Sequence, residues 1–172
     1  MKYFVVGTIG VGKSTFIEKK DYIYKIYEPI SEYSSYLEDL YLNNINNKEI
    51  QDKLTEISIN FINSELKKCT NSDKDIYIES IPEIKDIIFR FAYGEYDLDI
   101  LNQRLKDFIK DNSDEYNLNN IIFIGLDLST NEIKKQIKIR NRPNEKNISD
   151  DTLFNLQLGF MIFKYLLHKK LI

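Results

Sequence analysis

The stretch KYFVVGTIGVGKST (2–15) joins a short, nearly continuous apolar run to a glycine-rich segment. An apolar run of this kind is typical of a central strand that is buried on both faces of a parallel sheet. The residues after it satisfy the pattern G-x-x-x-x-G-K-[ST], which binds phosphate where it lies between a strand and a helix. We therefore expect a strand, a phosphate-binding loop and a helix from about Lys13 to Lys20.

Each residue type in this loop has a physical reason. Glycines allow successive backbone N–H groups to face one anion, and the next helix presents its positive end to the same charge. Lys13 reaches the outer phosphates of a nucleotide, and the Ser14 hydroxyl is placed to bind Mg²⁺. The alternative is a chance glycine turn, which the order of strand, motif and helix disfavours. The residues expected to bind ATP are Gly7, Thr8, Ile9, Gly10, Val11, Gly12, Lys13, Ser14 and Thr15.

Composition limits the classes of protein to consider. The chain has 172 residues, 42% of them hydrophobic, and a net charge of −3, so we expect one globular domain over 1–172. This charge is not the basic footprint of nucleic-acid binders, and no apolar stretch reaches the ~20 residues that span a bilayer, so neither nucleic acid nor membrane is expected as a partner. Cys69 is the one cysteine, which indicates a reducing compartment such as the cytoplasm.

Strand-like and helix-like patterns alternate along the chain, which predicts an α/β fold with a parallel sheet of four to five strands between helices. The later predicted strands are 22–29, 75–80 and 119–128. The predicted helices are 31–68 with a break at 41–47, 83–92, 97–111, one that opens with the capping box STNE (129–132), and a last one that Asp150 caps.

Two glutamates stand at predicted strand ends, the edge where parallel sheets bind their ligands. We interpret Glu79, at the end of the third strand, as a second Mg²⁺ ligand, acting directly or through water. Glu28, after the second strand, is the candidate base that accepts a proton from a hydroxyl receiving a phosphoryl group. Each alone could be a solvated carboxylate, and their occurrence together with the phosphate-binding loop favours a site.

Two of the four arginines, Arg140 and Arg142, stand together at the predicted end of a helix. A basic pair on a mobile segment can close over ATP and neutralise charge that develops on the transferred phosphoryl group. The alternative is that the pair complements the helix dipole in its last turn. Given the loop, we favour a lid segment at about 136–148.

These motifs, in this order, resemble those of the deoxynucleoside kinase family. The loop at 7–15 matches the family's G-x-[IV]-G-x-G-K-S-T, EPI (28–30) matches its E-P-[VI], and RNRPNE (140–145) matches its lid pattern R-x-R-x-x-E. The resemblance implies a three-layer P-loop kinase fold and transfer of the γ-phosphate of ATP·Mg²⁺ to the 5′-hydroxyl of a deoxynucleoside. Glu28 is then the base, and the lid arginines engage the phosphates.

The resemblance also implies a pocket for the nucleoside. Tyr33 stands at the spacing of the family's large pocket aromatic, and Tyr41 resembles a helix-borne tyrosine that holds the sugar 3′-hydroxyl together with Glu145. Gln51, with a one-residue gap in register, resembles the glutamine that reads the base with one donor and one acceptor. The last helix (150–172) is apolar over more than one face, which we interpret first as packing in the core. A homodimer is the second interpretation, which agrees with the family's common pairing through helices.

The sequence departs from the family pattern at several positions. Ser80 follows Glu79 where the family has an arginine, Gln136 stands where the lid helix has another, and the first helix is short. The family's last strand and helix have no counterpart after 150–172. Lys85 is a candidate for the missing charge, but we expect it to be a solvated surface lysine.

Two alternatives stay open. A nucleoside monophosphate kinase of the thymidylate kinase type would need an additional cation near the second strand, and the EPI segment offers none. A nucleotide-binding module with weakened catalysis is the other alternative, and the arginine missing after Glu79 motivates it.

Overall fold

Four parallel strands form the sheet in the part of the chain that the computed structural model describes, which is 1–41, 48–70, 73–112, 116–142, 145 and 147–169. The strands are β1 (Lys2–Val6), β2 (Tyr24–Ile26), β3 (Ile76–Glu79) and β4 (Ile121–Phe123), in the order β2-β3-β1-β4. The central β1 pairs with β3 on one side and with β4 on the other, and Val5 and Val6 are at most 1% exposed. The predicted α/β class with a parallel sheet is confirmed.

Seven α-helices accompany these strands in the described residues. They are α1 (Lys13–Glu18), α2 (Ser34–Tyr41), α3 (Lys48–Lys68), α4 (Pro82–Arg90), α5 (Leu98–Asp111), α6 (Thr130–Arg140) and α7 (Asp150–Lys169). The predicted break at 41–47 falls almost wholly outside the described residues, as does the side chain of Tyr41. None of the described helices combines the length and apolar character that a bilayer span requires.

The predicted strand over 119–128 is wrong in its extent. The residues before β4 form a 3₁₀ turn (Leu118–Asn120), and pairing ends at Phe123. The chain then turns at Gly125, which has a φ of 66°. A Cβ at Gly125 would lie 2.6 Å from Cβ of Val11, so glycine lets this turn pass close to the phosphate-binding loop.

Helix starts follow side-chain capping, with one correction. At α6 the predicted capping box is confirmed: the Ser129 side chain accepts from the N–H of Glu132 and the Glu132 carboxylate accepts from the N–H of Ser129. At α7 the cap is Ser149, whose Oγ accepts the N–H of Thr152 at 3.0 Å. Asp150 lies in the first turn, where an acidic side chain favours the helix dipole without capping.

The core lies between the sheet and the helices α4, α5 and α7. The contact between α4 and α7 is close, because a Cβ on Gly159 of α7 would lie 2.6 Å from Cγ2 of Ile88 on α4. Helix α4 follows β3 directly and therefore begins at the edge of the sheet where the strands end. This packing fixes the start of α4 beside the candidate site. Core side chains at most 1% exposed include Ile84, Ile88, Leu101, Leu105, Leu153 and Phe163.

Candidate active site

The loop between β1 and α1 has the conformation of a phosphate cradle. Gly7 and Gly12 have φ values of 154° and 90°, and a Cβ at Gly7 would lie 2.5 Å from the carbonyl oxygen of Ile124. Lys13 Nζ donates to the carbonyls of Gly7 and Thr8 at 3.1 and 3.0 Å. The Thr8 hydroxyl oxygen is buried and has no hydrogen-bond partner among the described residues. Phosphate oxygens would provide hydrogen-bond partners for the Lys13 ammonium group and the Thr8 hydroxyl.

The electrostatics of Lys13 suit an anionic ligand. Burial lowers the pKa of Lys13, the negative charges of Glu28 and Glu79 oppose that change, and the positive charges of Lys85 and Arg140 add to it. A partly buried ammonium group with two further cations near it gains from the arrival of a polyanion. The loop therefore combines backbone geometry and charge for binding phosphate.

Ser14 and Glu79 meet at the mouth of the loop. Ser14 Oγ donates to Oε1 of Glu79 at 2.9 Å, and Glu79 is only 7% exposed. Mg²⁺ prefers oxygen ligands and usually takes one or two from protein, filling its other positions with phosphate and water. This pair of oxygens fits Mg²⁺, and Ser14 and Glu79 are the residues that would hold it.

Glu28, Lys85 and Tyr33 form a triangle of polar contacts in which each side chain lies within hydrogen-bonding distance of the other two. Lys85 Nζ donates to Glu28 Oε1 at 3.1 Å, and the Tyr33 hydroxyl donates to Glu28 Oε2 at 3.3 Å. Lys85 Nζ also lies 3.4 Å from the Tyr33 hydroxyl oxygen, which closes the triangle. The expectation that Lys85 is a solvated surface lysine is wrong, since its side chain is 19% exposed and pairs with Glu28.

The reason for this error lies in helix α4. It begins at Pro82 immediately after β3, so Lys85 comes one turn into a helix whose buried stripe contains Ile84 and Ile88. Its aliphatic stem belongs to the edge of that stripe, and Nζ lies 5.5 Å from the ring centre of Phe89. The position of Lys85 beside an apolar helix face was the one signal in the sequence that its side chain is partly buried, although it does not indicate the partner.

The charges around Glu28 keep it ionised. Burial alone would raise the pKa of Glu28, but the positive charges of Lys85 and Lys13, with hydrogen bonds from Lys85 and Ser80, outweigh burial and hold it at about 2. The pKa of Lys85 is raised: burial acts to lower it, and the neighbouring Glu28 and Tyr33 more than compensate. Both groups are therefore charged at neutral pH.

Arg140 and Arg142 lie at the end of α6 and face the same cleft. Arg140 forms an ion pair with Glu145, and Arg142 Nη1 lies 3.5 Å from Oε1 of Glu145. The Glu145 side chain is 8% exposed, so the carboxylate is buried beneath the two guanidinium groups. Residues 143, 144 and 146 of the predicted lid lie outside the described residues.

One cleft brings these groups together. The predicted site residues that line it are Gly7, Ile9, Lys13, Glu28, Tyr33, Glu79, Arg140, Arg142 and Glu145. The same cleft is lined by Lys85, which the sequence analysis did not place there. Their assigned roles in binding and catalysis stay predictions.

A second cavity adjoins this cleft and contains the predicted base-reading residue. The two cavities share Leu37, Lys85 and Phe89 as walls, and Gln51, 2% exposed, lines the second one. Asp86 also lines it, a residue that the sequence analysis did not single out. Its Oδ2 accepts from Nε of Arg90 at 2.8 Å, whereas its buried Oδ1 has no hydrogen-bond partner among the described residues.

Together the parallel sheet, the glycine-rich loop after β1 and the cleft at the strand ends are features of the P-loop kinase fold. Three similar solved structures are all of deoxyadenosine kinase from M. mycoides: one with the products dCMP and a flexible dCDP, one with dATP and one with dCTP. Their TM-scores are 0.65, 0.61 and 0.61, each is 24% identical in sequence, and they cover 99%, 99% and 98% of this chain and 86% of their own.

Comparison of sequences alone gives no relative, since no family model and no curated protein matches this chain. At 24% identity the structural likeness concerns the fold. It confirms the predicted kinase fold and supports the resemblance to the deoxynucleoside kinase family that the motifs indicate.

Proposed function

We propose that the protein is a deoxynucleoside kinase that transfers the γ-phosphoryl group of ATP to the 5′-hydroxyl of a deoxynucleoside. The observation that carries this proposal is the convergence of three groups in one cleft: the loop with Lys13, the Ser14–Glu79 pair and the ionised Glu28. Phosphoryl transfer depends mainly on positioning and on charge stabilisation, and these are the groups that it requires.

The residues take complementary roles in this proposal. Lys13 and the loop amides bind the outer phosphates, and Glu28 accepts the hydroxyl proton as the 5′-oxygen forms its bond to phosphorus. Arg140 and Arg142 turn from Glu145 towards the transferred group. Mg²⁺ held by Ser14 and Glu79 would neutralise phosphate charge.

The nucleoside would extend from Glu28 towards the second cavity. Tyr33 and Glu145 line the same cleft as Glu28, and in this proposal Tyr33 lines the nucleoside pocket and Glu145 holds the sugar 3′-hydroxyl. Gln51 and Asp86 line the adjoining cavity, where the amide and the buried Oδ1 offer polar partners to a base. The predicted role of Tyr41 depends on a side chain outside the described part of the chain.

A nucleoside monophosphate kinase is the second candidate, and the position of Lys85 favours it. The sequence analysis set this function aside because no cation was expected near the second strand, and Lys85 lies 3.1 Å from Glu28. That cation is already paired with a carboxylate, so we retain the nucleoside as the preferred acceptor. The same lysine weakens the case for an inactive binding module, which depended on missing charge.

Release of ADP, measured in a coupled assay over the four deoxynucleosides and their monophosphates, tests the proposal. Turnover with nucleosides alone is the expected result, with the phosphorylated product identified by mass. Turnover with monophosphates alone would establish the second candidate. ATP binding by calorimetry without turnover of any acceptor would favour the binding module.

Pairing of two chains through α7 is a further part of the proposal. Phe154, Met161 and Tyr165 are 58%, 49% and 56% exposed and recur at helical spacing, which places them on one face. Sedimentation should show a dimer that Met161→Glu converts to a monomer, and a wild-type monomer at high concentration would contradict pairing. Location in the cytoplasm stays a prediction.

A further inference from the structure

We propose that Lys85 is a positioning residue of the catalytic cleft. It holds the Glu28 carboxylate in place as an anion while the phosphates of ATP pair with the other cations of the cleft. This inference rests on the proposed function and assigns a role to a residue outside the loop, the EPI segment and the lid. Lys85 acts through Glu28 in this proposal and has no contact of its own with the reacting atoms.

The geometry around Lys85 fixes its ammonium group from several sides. Its Nζ donates to Glu28 at 3.1 Å and to the Tyr33 hydroxyl at 3.4 Å. The rings of Tyr33 and Phe89 have their centres 5.3 and 5.5 Å from Nζ, within the range of cation–π attraction. Because Tyr33 also donates to Glu28, both carboxylate oxygens have a fixed partner and the side chain has one orientation.

An ion pair is a poor choice for stability alone at this position. Removing two charges from water costs several kcal/mol per ion in general, and apolar side chains of similar size often stabilise as well or better. Ile84, Ile88 and Phe89 are buried on the same helix α4 one residue before and three and four residues after position 85, so an apolar residue would suit this position. Glu28 instead lines the phosphate-side cleft, and Lys85 lies in the wall that this cleft shares with the cavity of Gln51.

The polar and charged groups that face Glu28 would respond differently to bound ATP, because only some of them lie where phosphate can reach them. Lys13 approaches it from α1, Lys85 from α4, the Tyr33 hydroxyl from the segment after β2, and the Ser80 hydroxyl from the end of β3. Phosphates in the loop would engage Lys13 and add negative charge near Glu28. Lys85 is then the cation still paired with the carboxylate, and it keeps the base unprotonated until it receives the proton of the hydroxyl group.

Lys13 in turn faces Glu79 and Arg140, so both signs of charge surround the loop side of the cleft. Removal of Lys85 leaves burial to raise the pKa of Glu28, opposed by Lys13 and by the hydrogen bonds from Ser80 and Tyr33. An opposite charge within hydrogen-bonding distance typically lowers the pKa of a carboxyl by about 1–3. Loss of Lys85 should therefore be visible in the pH dependence of catalysis.

The first experiment compares Lys85→Met, Lys85→Arg and the exposed control Lys106→Met in steady-state assays from pH 9 down to the lowest pH at which each protein stays folded, because a Glu28 pKa of about 2 places the wild-type acid limb below pH 4. We expect Lys85→Met to lower kcat roughly tenfold or more and to move the acid limb of kcat upward by at least about one pH unit. Lys85→Arg should restore most of both properties, and Lys106→Met should match wild type. The Kd of ATP should stay unchanged in all four proteins.

A second measurement does not depend on turnover. Carboxyl ¹³C NMR titration of the free protein, with Glu28 assigned through Glu28→Gln, should give a higher Glu28 pKa in Lys85→Met than in wild type. An equal pKa in the two proteins would overturn the inference even if wild type is active. A raised pKa in a protein that phosphorylates no deoxynucleoside would support the pairing and reject the proposed function.

Two kinetic results would also overturn the inference. One is wild-type kcat and an unchanged acid limb in a folded Lys85→Met protein. The other is turnover of monophosphates with a KM that rises in Lys85→Met while the acid limb stays in place, because Lys85 would then bind the acceptor's phosphate.

Discussion

Replacing Glu28 with glutamine tests the catalytic assignment most directly. The substitution keeps the size of the side chain and removes its charge and its capacity to take up a proton. Loss of a general base commonly costs 10²–10⁴ in rate, so kcat should fall at least about a hundredfold, which is about 2.7 kcal/mol in the barrier. The Kd of ATP should change little, because Lys13 and the loop carbonyls keep their geometry.

The same substitution should destabilise the fold by an amount that follows from the ion pair. Lowering of the Glu28 pKa from 4.5 to about 2 corresponds to roughly 3 kcal/mol in favour of the ionised form. The Glu28 and Lys85 side chains are 14% and 19% exposed, so solvent screening is limited. We therefore expect a loss of about 3 kcal/mol, or roughly 6–12 °C in Tm for a chain of this length.

The stability difference has a defined pH window. A carboxyl whose pKa is lowered by folding contributes fully above its unfolded pKa and loses that contribution as the pH falls towards the folded value. Wild type and Glu28→Gln should therefore differ by the full amount at pH 7 and converge between about pH 4.5 and pH 2. Chemical denaturation at several pH values measures this convergence.

The double variant Glu28→Gln/Lys85→Met separates stability from catalysis. It removes the unpaired lysine along with the carboxylate, so stability should return towards wild type while kcat stays at least about a hundredfold low. The exposed neighbour Glu32, changed to glutamine, is the matched control and should be neutral in both assays. Near-wild-type kcat in the single variant, or its recovery in the double variant, would remove Glu28 from the role of base.

Three other substitutions test separate parts of the structure. Gly7→Ala brings a Cβ 2.5 Å from a backbone carbonyl oxygen, whereas a Cβ at Gly12 would meet only Gln136 Oε1 at 3.9 Å and the strain of a φ of 90°. ATP titration should therefore show a greater loss of binding for Gly7→Ala, and equal losses would contradict this difference. Asp86→Asn should alter base preference by roughly 10-fold or more in kcat/KM with an unchanged KM for ATP, and an unchanged preference would remove the residue from base recognition. Gly159→Ala places a methyl group against Ile88, so thermal melting should show a loss of about 1–3 kcal/mol with activity per folded molecule retained.

The features that the sequence predicted correctly are those that local rules determine. The phosphate-binding loop is contiguous, so the spacing of its glycines, Lys13 and Ser14 already defines the cradle. The position of Glu79 at the same edge of the sheet as the loop followed from a rule about parallel sheets, whose strand ends share one edge, and the structure adds its hydrogen bond with Ser14. The capping box at α6 is likewise a contact between residues three positions apart.

The features that were missed depend on distant packing. Lys85 pairs with a residue 57 positions earlier, and a lysine next to an apolar helix face gives no sign of that partner in the sequence. The end of β4 depends on the approach of Gly125 to Val11, which periodicity does not record. Asp86 became a candidate only because its Oδ1, in a cavity between α3 and α4, has no hydrogen-bond partner within the described part of the chain.

The partners of the cations in the cleft indicate how it can bind a triphosphate and keep a working base. Lys13 is hydrogen-bonded to loop carbonyls, and Arg140 is paired with Glu145, so phosphate oxygens can replace both kinds of partner without taking a cation away from Glu28 through its hydrogen bonds. Lys85 differs, because its partner is the base itself and is held from the other side by the Tyr33 hydroxyl. When Lys13 and Arg140 pair with phosphate, Glu28 therefore still has Lys85 as its counter-ion. This separation of roles requires a cation in helix α4.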